Sequence, residues 1–351
     1  MQGALMKYGA INAKVSVMCR NLLKDKDYDE LLSKNSVSEV VSWLKQNSGY
    51  AQLLGGIQEG SVHRGQLEGI LKSSFDRDCE KLARFSKDNL HRFLKIYVVG
   101  AEVAFLKKLL AAVAKNEMFV PDAAASALLD FSSDRQKIVT AGSAAQVLEY
   151  LKGTIYYDVL SAVYSGTDFP GAFKTEMALD TLYYKTAWQY AEKYLDKENR
   201  AAVKKTLGTE TDILNLLWII RSKRHYNLPE DSIYAYILPV KYRLSAEEIK
   251  QLVSAQSEQA LSDALQKTKY KNIVKYDDLD LEHFYNDNVL KNMHAAKVNN
   301  QFSVMPALGY LHYKQIEIGN IIRIVEGIRY DIDRNELKKY LVWEAGGISV
   351  N

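Results

Sequence analysis

Two short patterns, each found three times and interleaved in the same order, constrain this 351-residue chain more than any other feature. The first is Ser/Thr-x-Tyr with apolar residues three and four places after the Tyr. It reads Ser48-Gly-Tyr50 with Leu53 and Leu54, Thr154-Ile-Tyr156 with Val159 and Leu160, and Thr268-Lys-Tyr270 with Ile273 and Val274. The second is an acid followed three residues later by a polar or aromatic position, set on an apolar stripe. It is plainest in Asp212-Ile-Leu-Asn215 and Glu317-Ile-Gly-Asn320. The stripes Ile213, Leu216, Leu217, Ile220 and Ile318, Ile321, Ile322, Val325 match position by position, at the spacing of one helix face. A degenerate copy starts at Glu102, with Val103, Leu106 and Leu110; Phe105 replaces the Asn and Lys107 interrupts the stripe. Agreement of two independent patterns predicts three helical repeats of about 105–110 residues, spanning 1–120, 121–235 and 236–351.

Such units bury their apolar faces against one another. Three of them either close around an approximate three-fold axis or stay open as an arc. The closed body has a central opening, which suits an elongated protein partner better than a small substrate.

Local signals agree with an all-α fold. Ser245 and Glu248 fit a capping box before Ile249, Leu252 and Val253, and Ser36 with Glu39 fits another. Pro306 and Gly327 are placed to open and close the last long helix. The five prolines fall between periodic segments. Only the run Ile233–Val240 has strand character, and Pro239 limits it.

Several kinds of chemistry are not encoded. The net charge of +3 is small for this length and does not suggest nucleic acid. The densest basic run, Arg221, Lys223, Arg224 and His225, reads as the basic last turn of a helix. No P-loop, H-E-x-x-H, Cys-x-x-Cys or G-x-S-x-G sequence occurs. Asp88 and His91 lie three apart on an expected helix, but a bundle metal site needs a second such pair and further carboxylates converging on it, so a solvated helix face is the preferred reading. We therefore expect no catalytic residue, no cofactor and no metal. Met1–Ala10 has no long apolar core of a signal peptide, and Ile96–Leu110 is broken by Glu102, Lys107 and Lys108. Any membrane association is expected to be peripheral. The aromatic run Tyr183, Tyr184, Trp188, Tyr190 and Tyr194 reads as core or border packing.

The repeated polar positions are the strongest constellation. One reading makes Asp212, Asn215, Glu317 and Asn320 contacts to a partner in the opening. The other makes them internal: Asp212 capping its own helix with Thr209, and the asparagines holding a neighbouring loop. The internal reading is preferred, because polar groups at the edge of a buried face are usually hydrogen-bonded within the fold.

These residues also resemble a known family. Tyr313-Lys-Gln-Ile-Glu317-Ile-Gly-Asn320-Ile-Ile-Arg323-Ile-Val-Glu-Gly is similar to the C-terminal signature of the V/A-type ATPase C subunits, the relatives of the eukaryotic d subunit. So is Asp212-Ile-Leu-Asn215-Leu-Leu-Trp-Ile-Ile-Arg221-Ser-Lys223. Tyr236-Ile-Leu-Pro239 with Leu244-Ser245 resembles the family's linker into its third unit, and Tyr8-Gly-Ala-Ile-Asn-Ala-Lys14 its opening helix. The resemblance implies an all-helical funnel of three pseudo-equivalent units. It further implies one face on the membrane rotor ring of c-type subunits and an interior that receives central-stalk subunits D and F. A protein in that position lies on the cytoplasmic side, turns with the rotor, transmits torque and catalyses nothing. The whole complex couples ATP hydrolysis or synthesis to H⁺ or Na⁺ transport. Two readings stand beside it: a helical-repeat adaptor for an unrelated protein, and a bundle metalloenzyme using Asp88 and His91.

Overall fold

A computed structural model describes residues 2–58, 62, 64–119, 135–165, 171–226, 228–275, 281–299 and 302–343. Among these residues there are helices and connections but no strand. The boundary expected near residue 120, Pro121 and Pro170 lie outside the described residues.

The N-terminal helices are α1 (Gln2–Cys19), α2 (Asp25–Leu32), α3 (Val37–Asn47), α4 (Ala51–Leu54), α5 (Arg64–Arg84), α6 (Asp88–Leu94) and α7 (Ile96–Ala114). Then come α8 (Arg135–Val139), α9 (Ala144–Tyr150), α10 (Ile155–Tyr164), α11 (Ala172–Tyr194) and α12 (Lys197–Arg221). The C-terminal part holds α13 (Glu230–Ala235), α14 (Ala246–Ser254), α15 (Glu258–Lys267), α16 (Leu281–Asn299), α17 (Met305–Arg329) and α18 (Arg334–Lys339).

The described residues of 1–91 and 293–343 form one compact unit, and those of 92–119 and 135–292 a second. In the first, α17 packs against α1, α2, α3 and α5. In the second, α11 packs against α7, α10 and α12. Three apolar clusters follow the repeated stripes. One joins Leu31, Val40, Leu44, Tyr50 and Leu71 to Ile318, Ile321 and Val325. A second joins Val103, Leu106 and Leu110 to Val147, Tyr156 and Leu160. A third joins Ile213, Leu216 and Ile220 to Ile249, Leu252, Leu265 and Tyr270.

Short-range chemistry sets the helix starts. Ser36, Ser143 and Ser257 cap α3, α9 and α15, each hydroxyl accepting the backbone N–H three residues on, at 3.2, 3.2 and 3.1 Å. Ser245 and Glu248 make the full capping box of α14. Glu39 makes only half of the expected one, since its carboxylate takes the N–H of Asn35 instead of Ser36.

Two local expectations are corrected. Ile233–Val240 is not a strand: its first part ends α13, entered from Pro229 as N-cap. Pro306 does lie in the first turn of α17, but Gly327 does not close that helix, which runs on to Arg329. A Cβ on Gly327 would collide with the Leu337 side chain, so the glycine lets α17 approach α18 closely.

Candidate functional site

The structure joins the two repeated patterns directly: each tyrosine donates its hydroxyl to one of the acids. Tyr270 Oη lies 2.9 Å from Asp212 Oδ2, and Tyr50 Oη 2.7 Å from Glu317 Oε1. Tyr156 donates to Glu102 Oε2 in the same way. In the two inner copies the acid precedes its tyrosine in the chain. Tyr50 instead takes Glu317, 267 residues away on α17.

The Ser/Thr of each motif aims its tyrosine. Ser48 Oγ donates to the Leu44 carbonyl at 2.5 Å and accepts the Tyr50 N–H at 3.2 Å. Thr154 repeats this with Leu151 and Tyr156 at 2.7 and 3.3 Å. Thr268 repeats it with Leu265 and Tyr270 at 2.8 and 3.1 Å. A hydroxyl that turns the chain between two helices is therefore built three times, and each tyrosine leaves the turn pointing at a buried carboxylate.

Asp212 is fully buried in the middle of α12, with no exposure. Besides the phenol it accepts the N–H groups of Tyr242, Arg243 and Leu244 at 3.1, 2.6 and 3.0 Å. Burial pushes its carboxyl above the ordinary value, and these donors pull it back toward the charged form. It does not cap its own helix: Asp196 does that, and Thr209 Oγ1 donates to the Lys205 carbonyl instead. Glu317 is equally buried and is held by the Leu23 N–H at 2.6 Å, the Tyr50 phenol, and the Lys314 ammonium at 2.6 Å. Lys314 also lies 4.0 Å over the Tyr50 ring. Leu23 and Leu244 correspond, for each ends the segment before the next short helix, α2 or α14. Burial, with the neighbouring carboxylate second, raises the phenols of Tyr50, Tyr156 and Tyr270 well above their usual value. They act as hydrogen-bond donors at any ordinary pH.

The asparagines are clamps. Asn215 receives the Leu238 N–H at 2.7 Å and donates to the Leu238 carbonyl at 3.2 Å. Asn320 does the same with Val342, at 3.0 and 2.8 Å. Phe105, the third equivalent, instead packs edge-to-face on Phe119 at 5.2 Å. Lys107, which breaks that stripe, pairs with Asp180 at 2.6 Å. Arg221 is exposed at the end of α12, and Arg323 is half-buried on α17.

Sequence spacing pointed to both patterns but missed their direct bond, along with Leu23, Leu244 and Lys314 as partners of buried acids. The equal multiplicity of tyrosines and acids was the available signal. As for Asp88 and His91, the imidazole Nδ1 of His91 lies 3.0 Å from the Ala83 carbonyl. Among the described residues no group of three or more His, Cys, Asp or Glu could hold a metal ion. None of the described helices is long and apolar enough to cross a membrane.

The described residues make an all-helical protein whose buried polar centres join its own helices. Residues 11–340 match the family model of the ATP synthase (C/AC39) subunit, so the chain belongs to the C/d family of V/A-type ATPase subunits. It is 25% identical to the C subunit of the A-type ATP synthase of Methanosphaera stadtmanae, over 94% of this chain and 86% of that protein. The corresponding A-type protein of Methanobrevibacter smithii is likewise 25% identical, over 90% and 83%. That of Archaeoglobus fulgidus is 22% identical, over 97% and 98%.

Proposed function

We propose that the chain is the non-catalytic socket of a rotary V/A-type ATPase or ATP synthase. In this reading it links central-stalk subunits D and F to the membrane ring of c-type subunits and transmits torque between them. It sits peripherally, on the cytoplasmic side. The observation that carries the reading is the tyrosine–carboxylate lock, built once in each of three apolar clusters. A torque coupler must resist twisting, and a buried charge-assisted hydrogen bond between helices has one geometry and loses much when that geometry changes. The three repeats, 1–120, 121–235 and 236–351, are arranged as a funnel around an approximate three-fold axis, with the partner shaft inside. Asp212, Asn215, Glu317 and Asn320 then keep the wall rigid, while Arg221 and Arg323 lie at the contact positions.

Affinity-tagged chain recovered from its native membranes tests this. We expect subunits D and F and the c-type ring to come with it, with the ATP-hydrolysing subunits behind them. Recovery of the chain without any of them rejects the assignment.

A further inference from the structure

A half-buried acid also stands outside the repeated locks. Glu210 on α12 accepts the hydroxyls of Tyr184 on α11 and Tyr285 on α16, at 2.9 and 2.8 Å. Both phenols land on the same oxygen, Oε1. Oε2 accepts no hydrogen bond from a described residue, and no ion pair reaches Glu210 among the described residues. The residue is half-buried, and Oε2 is not among the fully enclosed polar atoms left without a partner.

The other enclosed acids are provided for differently. Asp212 has three backbone N–H groups besides its phenol. Asp78 has the Tyr310 hydroxyl at 2.5 Å and the Lys81 ammonium at 3.0 Å. Glu317 has its phenol, a backbone N–H and the Lys314 ammonium. This last cluster is the informative comparison. Tyr50, Glu317 and Lys314 form a phenol, a carboxylate and an ammonium in mutual contact, with the ammonium 4.0 Å over the ring. Tyr184, Glu210 and Tyr285 repeat the phenol and carboxylate, but among the described residues no ammonium joins them. Burial raises the Glu210 carboxyl above its ordinary value, and the two phenols pull it down only in part. A counter-charge is the missing element.

We infer that Glu210 receives the ε-ammonium of a lysine from another protein of the complex, docking between Tyr184 and Tyr285. Lysine fits better than arginine. A guanidinium binds carboxylates through both oxygens at once, and Oε1 is already taken twice; a compact ammonium needs only Oε2. The tyrosine rings accommodate the cation as Tyr50 accommodates Lys314. The inference rests on the proposed place of the chain in a multi-protein rotary complex.

Glu210→Gln tests it, because its amide carbonyl still accepts both phenols while the charge is gone. Wild type and variant are titrated onto rotary ATPase complex stripped of this chain, at low and high salt. We expect the variant to bind at least about tenfold more weakly at low salt, a loss of about 1.4 kcal/mol, with a shallower salt dependence. Equal affinity and equal salt dependence overturn the inference alone. A wild-type chain that fails to join the complex overturns it together with the proposed function. A second measurement uses only the wild type. Carbodiimide applied to the assembled complex should join Glu210 to a lysine of a neighbouring protein, and assembly should block its labelling by glycine ethyl ester. Equal labelling of Glu210 in the free and assembled chain overturns the inference.

Discussion

A carboxylate removed from water needs donors or a counter-charge, and residues of this chain supply both in different proportions. Asp212 is held mainly by backbone N–H groups, which come with the chain and cost little side-chain entropy. Glu317 adds a lysine on its own helix, three residues before it. His312 is the opposite case. Its Nε2 is buried on α17 without a hydrogen-bond partner among the described residues, and burial lowers its pKa from the ordinary 6.5 to about 4. Between those pH values the unfolded chain binds a proton that the folded chain refuses. This imidazole therefore costs no stability above pH 6.5, and its cost grows as the pH drops toward about 4. His312→Gln should lose less on acidification through this window, read as melting temperature against pH. Parallel curves for the two proteins would show that the imidazole is not responsible.

At the scale of elements, the starts of α14 and α17 were legible because capping is a contact between near neighbours in sequence. Ser245 and Glu248, or Pro306, act within one turn. Glycines were not legible in this way, because what matters is the element on the other side. Gly327 looked like a helix stop and is a close-packing position. Gly208 on α12 is the stricter case: a Cβ there would collide with the Cβ of Tyr242, an atom fixed to backbone. That backbone also carries the N–H groups that hold Asp212. Gly208→Ala gains about 1 kcal/mol of helix propensity but should lose more, since overpacking costs about 1–3 kcal/mol and the segment cannot retreat without breaking the cradle. We expect a lower melting temperature. Gly309→Ala, with nothing within 4 Å of its added carbon, should be neutral or stabilising. A Gly208→Ala protein as stable as wild type would mean that the Tyr242 segment can shift.

For the whole molecule, the decisive element is α17. It carries the apolar stripe that completes the cluster around Tyr50, and it carries Glu317, which receives both Tyr50 and Leu23. The first lock is therefore closed by the last long helix, and helices at the start of the chain depend on residues added at its end. A chain ending before Met305 should leave Leu23 N–H and the Tyr50 hydroxyl without their acceptor and Leu44, Leu54 and Leu71 without their cover. We expect α2 to α5 to become the first sites of limited proteolysis, while the intact chain resists there. Unchanged protection of these helices would show that α17 is not needed to hold them.

By itself the sequence determined the helical class, the capping box at Ser245, the apolar stripes and the threefold recurrence of Tyr and acid motifs. These are read from neighbours along the chain, where helical period and capping geometry leave few choices. Only the tertiary structure decided which acid meets which tyrosine, that Asp212 serves a loop about 30 residues on rather than its own helix, and that Glu210 keeps an oxygen in reserve. The physical reason is the same in each case. A buried polar group takes whichever donor the packing brings within about 3 Å, and packing follows apolar surface across the whole chain, with no regard for distance in sequence.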